Sequence, residues 1–159
     1  MAYFYFNFQD VDKKSRRNLL SSLLFQLSTC SHPFCDVLSR YYVAHDNGER
    51  QTSDEDMTQC LKEMLTLPEQ GSVYLIIDAL DECPNTSGVP SAHELVLDLI
   101  KELVGLQLPG LHICVTSRPE VDISDALGSL ASQIISLQDE LGQKKDIGLR
   151  QICRPLWLK

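Results

Sequence analysis

The run Val73-Tyr74-Leu75-Ile76-Ile77, followed at once by Asp78-Ala79-Leu80-Asp81-Glu82, constrains the fold more than any other stretch. An unbroken apolar run of this length predicts a strand buried on both faces, as found inside a parallel sheet flanked by helices. In such a sheet the carboxyl ends of the strands line the ligand crevice, so a carboxylate directly after the strand is held rigidly there. Asp78 is placed to hold Mg²⁺, directly or through water, and Asp81 and Glu82 to polarise a water for attack on a phosphate. The competing reading is a solvated acidic turn that merely ends a strand. Three acids this close together favour the functional reading.

A second apolar strand, Leu111 to Val115, delivers Thr116-Ser117-Arg118-Pro119 to the same crevice. Arg118 is suited to sense or neutralise a terminal phosphate, and Pro119 stiffens the exit. Between the two strands, Ser91 and Glu94 form a capping box that opens a helix through Leu95, Val96, Leu99, Ile100, Leu103 and Val104. Strand, helix, strand is a parallel βαβ unit with a right-handed crossover.

The aromatic run Ala2 to Phe8 predicts another strand. Leu19, Leu20, Leu23, Leu24 and Leu27 then repeat at helical spacing, predicting a helix over about 15–28 that ends at the turn before Pro33. A shorter helix is expected over 34–42. Another follows Ser53, with Met57, Cys60, Leu61, Met64 and Leu65 on one face and Pro68 and Gly71 as its stop. A short helix near 123–130 and a strand near 133–137 complete the pattern. The fold class is α/β with a mainly parallel sheet.

Composition narrows the function. The chain has 159 residues, 43% apolar and 23% charged, as a globular domain does. Its formal net charge of −8 repels a phosphate backbone, which argues against sequence-independent nucleic-acid binding. No apolar run approaches the roughly 20 residues that span a bilayer, so no membrane partner is expected. The N-terminal aromatic run precedes the Lys/Arg cluster, the reverse of a secretory signal. Cys30, Cys35, Cys60, Cys83, Cys114 and Cys153 form no CxxC pair, which points to free thiols, a cytoplasmic setting and no cysteine metal site.

Tyr74 to Cys83 resembles the Walker B segment of NACHT domains, the signal-transducing P-loop NTPases. Leu111 to Glu120, with Thr-Ser-Arg-Pro, resembles their sensor-1 strand. Ala2 to Phe6 with Leu19 to Leu27 is similar to the strand and helix between Walker A and Walker B. The likeness is greatest to large fungal NACHT proteins, including those with a nephrocystin-like nucleotide-binding module, and runs from about Ala2 to Ile147. It implies a P-loop NTPase-like fold, with residues 1–147 a partial NACHT-like core and 148–159 a truncated C-terminal tail. It further implies ATP or GTP with Mg²⁺ as cofactor, Asp78 as the metal carboxylate, and Asp81 with Glu82 as the acidic pair that positions or activates water. Thr116 and Arg118 are implied to be the γ-phosphate sensor.

The Walker A loop is missing. A P-loop needs glycines whose backbone N–H groups wrap the phosphates, then a Lys and a Ser or Thr. No glycine precedes Gly48, no Gly-Lys dipeptide occurs, and Lys14-Ser15 follows no glycine loop. By the resemblance, that loop and its strand lie upstream of Met1, the strand sits between sensor 1 and the last strand, and Asp146 opens a further helix. Leu111 to Val115 is therefore expected to have an open edge, making the chain poorly stable or prone to pair with another chain. Three functions remain open: a fragment of a nucleotide-hydrolysing signalling switch, a catalytically inactive binding or regulatory module, and a metal-dependent phosphatase-like enzyme, the last supported by acids at only one strand end.

Overall fold

A computed structural model describes residues 1–68, 71–85 and 90–136, together with the backbone of 156–158. Strand β1 (Ala2–Tyr5) leads through helices α1 (Arg16–Ser28), α2 (His32–Ala44) and α3 (Asp54–Thr66) to β2 (Val73–Asp78). Helix α4 (Ala92–Gly105) then connects to β3 (Leu111–Val115), and α5 (Val121–Leu127) to β4 (Ala131–Ile134); β5 (Leu156–Leu158) follows. The sheet order is β1-β2-β3-β5-β4. β1 and β2, and β2 and β3, pair in parallel, and β5 runs antiparallel to both β3 and β4. The fold is α/β, as the sequence predicts.

Helix ends follow local chemistry. The Ser15 hydroxyl accepts the Asn18 N–H and starts α1. Ser53 with Asp56, and Ser91 with Glu94, close reciprocal capping boxes on α3 and α4. Pro33 falls in the first turn of α2 behind the Ser31 cap, where a proline's missing N–H has no partner to lose. Leu19, Leu20, Leu23, Leu24 and Leu27 of α1 are all buried in the core with Phe4, Leu75, Ile77 and Leu61.

Two expectations are corrected. The Val73–Asp78 strand is not buried on both faces. Val73, Leu75 and Ile77 are buried, whereas Tyr74 is 42% exposed and Ile76 half-buried. β1 and β3 alternate the same way, so Tyr3, Tyr5, Tyr74 and His112 share the face opposite the core, with Tyr74 and His112 stacked 4.7 Å apart between ring centroids. Topology gives the reason: β1 to β2 to β3 to β4 steps one way across the sheet, and right-handed crossovers then all lie on one face.

The edge of β3 is also not open. Leu156–Leu158 pairs with Ile113–Val115 on one side and with β4 on the other. The antiparallel strand comes from a segment whose sequence carries no strand-length pattern. The helix expected from Asp146 lies outside the described residues. On the far edge, β1 is shielded by a side chain: Gln26 accepts the Tyr3 N–H at 3.0 Å and donates to the Tyr3 carbonyl at 2.6 Å.

Candidate functional site

The carboxyl ends of β2 and β3 are stapled together by Thr116. Its N–H donates to the Ile77 carbonyl at 2.9 Å, and its carbonyl accepts the Leu80 N–H at 2.9 Å. Its hydroxyl accepts the Ala79 N–H at 3.1 Å and donates to Asp78 Oδ1. A sharp bend makes this possible. Ala79 takes the left-handed conformation at φ 54°, which turns Leu80 into the core and starts a short helical turn over Leu80–Glu82. A non-glycine residue there carries about 1–2 kcal/mol of strain.

Asp81 is the second staple. Its Oδ1 accepts the Arg118 backbone N–H at 2.8 Å and its Oδ2 the Arg118 Nε–H at 2.5 Å. The Asp81 side chain is only 5% exposed, while that of Arg118 is half-exposed. Hydrogen bonding to Asp81, with the Asp81 charge, raises the guanidinium's pKa further, so Arg118 stays cationic. Glu82 leans the other way, accepting the Phe8 N–H beyond β1 at 3.4 Å.

These groups face a cavity of about 730 Å³ lined by Phe8, Lys14, Ser15, Asp81, Glu82 and Arg118 among others. Asp78 and Thr116 stand beside it, bonded to each other, and are not among its lining residues. Of the five residues singled out from sequence, four are joined in two bonded pairs across the strand ends, and Asp81, Glu82 and Arg118 lie on the cavity wall. Lys14 and Ser15 reach the same wall. The Lys-Ser pair immediately before a helix was the available signal, discounted in sequence because no glycine loop precedes it.

The donor set bears on a metal. Among the described residues, no three His, Cys, Asp or Glu side chains converge on a point that would hold an ion. Mg²⁺ ordinarily takes only one or two carboxylates and completes its shell with phosphate oxygens and water. A cation there would have to bring its other ligands with it, and the carboxylates at the strand end that could meet it are Asp78 and Glu82.

Asn85, which also lines the cavity, ties the entry of α4 to α5. It accepts the Ser91 hydroxyl at 3.0 Å and donates to Asp122 at 3.4 Å. His93 is buried beneath, its Nε2 3.2 Å from Asp122 but outside hydrogen-bonding direction.

A parallel βαβ unit with an acidic turn after one strand, bonded to a Thr-Ser-Arg turn after the next, makes this an α/β protein with a three-strand parallel sheet, an arrangement consistent with a P-loop-like fold. The model of one family, described as nephrocystin 3, N-terminal, matches residues 1–118, from β1 through the Arg118 staple. The chain belongs to the nephrocystin 3 N-terminal family. No match was found among curated proteins or among solved structures.

Proposed function

We propose that this chain carries the Walker B and sensor-1 half of a NACHT-type nucleotide switch, taking the phosphates of ATP or GTP with Mg²⁺ at the cavity lined by the turns after β1, β2 and β3. The observation that supports it best is the double staple, Asp78 to Thr116 and Asp81 to Arg118, which joins the two strand ends beside one cavity. In this reading Asp78 holds the cation, and the bound cation offsets phosphate charge. Arg118 and Lys14 meet the outer phosphate oxygens, and Thr116 fixes the Asp78 carboxylate. Glu82, whose visible partner is a single long backbone bond, is the carboxylate best placed to act on a water. Asp81 is a positioning residue, since both its oxygens are taken by Arg118.

A titration with fluorescent ATP and GTP analogues in Mg²⁺ tests the reading. Arg118→Ala and Lys14→Ala are each expected to weaken binding about tenfold, about 1.4 kcal/mol. Unchanged affinity in both would place the nucleotide elsewhere.

A second reading, a regulatory module without catalysis, is favoured by a different observation. Asp78 and Asp81 are both engaged by partners within the chain. Phosphate release separates the two. Release that falls in Glu82→Gln supports the switch, and binding with no release supports the module.

A further inference from the structure

We propose that the cavity between α1, α2 and α3 is a second binding site, for a small molecule with one anionic head and a flat apolar body. Its volume is about 370 Å³, within the range of small-molecule sites, which are mostly apolar with a few placed polar groups. Its shape begins in the sequence of α1. Leu19, Leu20, Leu23 and Leu27 are buried in the core, and Arg17, Ser21 and Phe25 run at i, i+4 and i+8 on a neighbouring stripe that lines the cavity. That spacing sets the ends of the stripe about 12 Å apart along the helix axis, a cation at one end and a phenyl ring at the other.

The two ends call for different chemistry. Leu24, Met57 and Cys60 supply buried apolar lining from α1 and α3. Phe25 and Tyr42 also line the cavity yet are 68% and 57% exposed, so they stand at its mouth, where a flat apolar body covers both rings. Among the described lining residues Arg17 is the one that carries a charge. Burial pushes the Cys60 thiol up to about 12 and raises the Tyr41 hydroxyl, so both stay neutral. Asp54, which is not among the lining residues, accepts one N–H from Arg17 Nη1 at 2.9 Å. A guanidinium has five N–H donors, so others remain for a carboxylate or sulfonate. One cation at the end of an otherwise uncharged cavity is matched by one anionic group.

No described residue lines both this cavity and the one at the strand ends, so occupancy here is read without nucleotide. Anilinonaphthalenesulfonate and its neutral parent phenylnaphthylamine are the probes, titrated by fluorescence against the native chain. Wild type is expected to bind one equivalent of the sulfonate. Arg17→Gln is expected to weaken the sulfonate about tenfold and to leave the neutral probe unchanged, a split that a merely loosened fold does not give. Ser21→Trp, at an exposed position of α1, is expected to fill the mouth and exclude both probes. No binding by wild type, sulfonate affinity unmoved by Arg17→Gln, or either probe still bound by Ser21→Trp overturns the proposal.

The unsubstituted chain gives a readout that does not depend on a variant folding. Naphthoate is expected to shift the methyl resonances of Leu24, Leu38 and Met57, which line the cavity, and to leave those of Leu75 and Val115 on the sheet in place. No shift, or shifts confined to other residues, overturns the proposal, whatever the outcome for nucleotide binding.

Discussion

At the scale of single residues, Thr116 holds more of the site together than any carboxylate. Thr116→Val keeps the shape but removes the acceptor for the Ala79 N–H and the donor to Asp78. It is expected to destabilise the chain by about 2 kcal/mol, read as a lower urea midpoint at unchanged slope. Ala79 carries strain instead of relieving it. Ala79→Gly is expected to be neutral to about 1 kcal/mol stabilising, because glycine adopts φ 54° freely. Ala79→Val is expected to lower the midpoint, since a β-branched side chain is a worse fit to that conformation. His45 sets a pH dependence. Hydrogen bonds to the Tyr41 carbonyl, then to Asp56, raise its pKa, and Asp56, bonded to Ser53 and His45, is lowered. Because the folded pKa of His45 lies above its unfolded value near 6.5, its contribution is full below that pH and is lost as pH rises through the folded value. The stability difference between wild type and His45→Gln is thus expected to be larger at pH 5.5 than at pH 8.5. An equal difference at both would contradict the assignment. The thiols divide by burial. Cys60 and Cys83 are pushed up to about 12 by desolvation, while Cys30 and Cys35 are exposed. Native-state alkylation followed by peptide mass mapping is expected to mark Cys30 and Cys35 first and to leave Cys60 and Cys83 unmarked.

At the scale of elements, α1 does two jobs, one face in the core and one side chain on the sheet edge. Leu23 is fully buried in the core, and Leu23→Ala is expected to cost about 2–5 kcal/mol in denaturant titration. The helices were legible because each signal is local: a leucine every three or four residues, and a serine three positions before an acid. α2 and α5 start two residues before their sequence boundaries, at His32 and Val121, with Pro33 opening α2 where the pattern alone reads it as a stop. The faces of the strands were not legible. Val73-Tyr74-Leu75-Ile76-Ile77 is apolar at every position, so no alternation reveals which side meets solvent, and the answer depends on the direction of distant crossovers. β5 was missed for a related reason. Three apolar residues beside Pro155 carry little strand signal, and their place is set by the empty lane between β3 and β4. At the candidate site, the strand ends single out Asp78, Asp81, Glu82, Thr116 and Arg118, and the fold brings those two strand ends together. The pairing of Asp81 with Arg118 was not legible, because it joins turns 37 residues apart whose register only the folded sheet fixes.

At the scale of the molecule, one layer of helices covers one face of a sheet, and the other face presents Tyr3, Tyr5, Tyr74 and His112. No helix among the described residues is long and apolar enough to cross a membrane. The nephrocystin family match covers the three parallel strands and both staples and stops at residue 118, so the part of the sheet that closes the β3 edge lies beyond it. The family-matched part holds the residues proposed to meet nucleotide. The most direct test of that proposal is calorimetric titration of the chain with ATP and GTP, with and without Mg²⁺, alongside Asp78→Ala. The account predicts heat of binding only when Mg²⁺ is present, and its loss in Asp78→Ala while the unfolding transition of that variant persists. Binding that is indifferent to Mg²⁺ and to Asp78, or a well-folded chain that binds neither nucleotide, would contradict it.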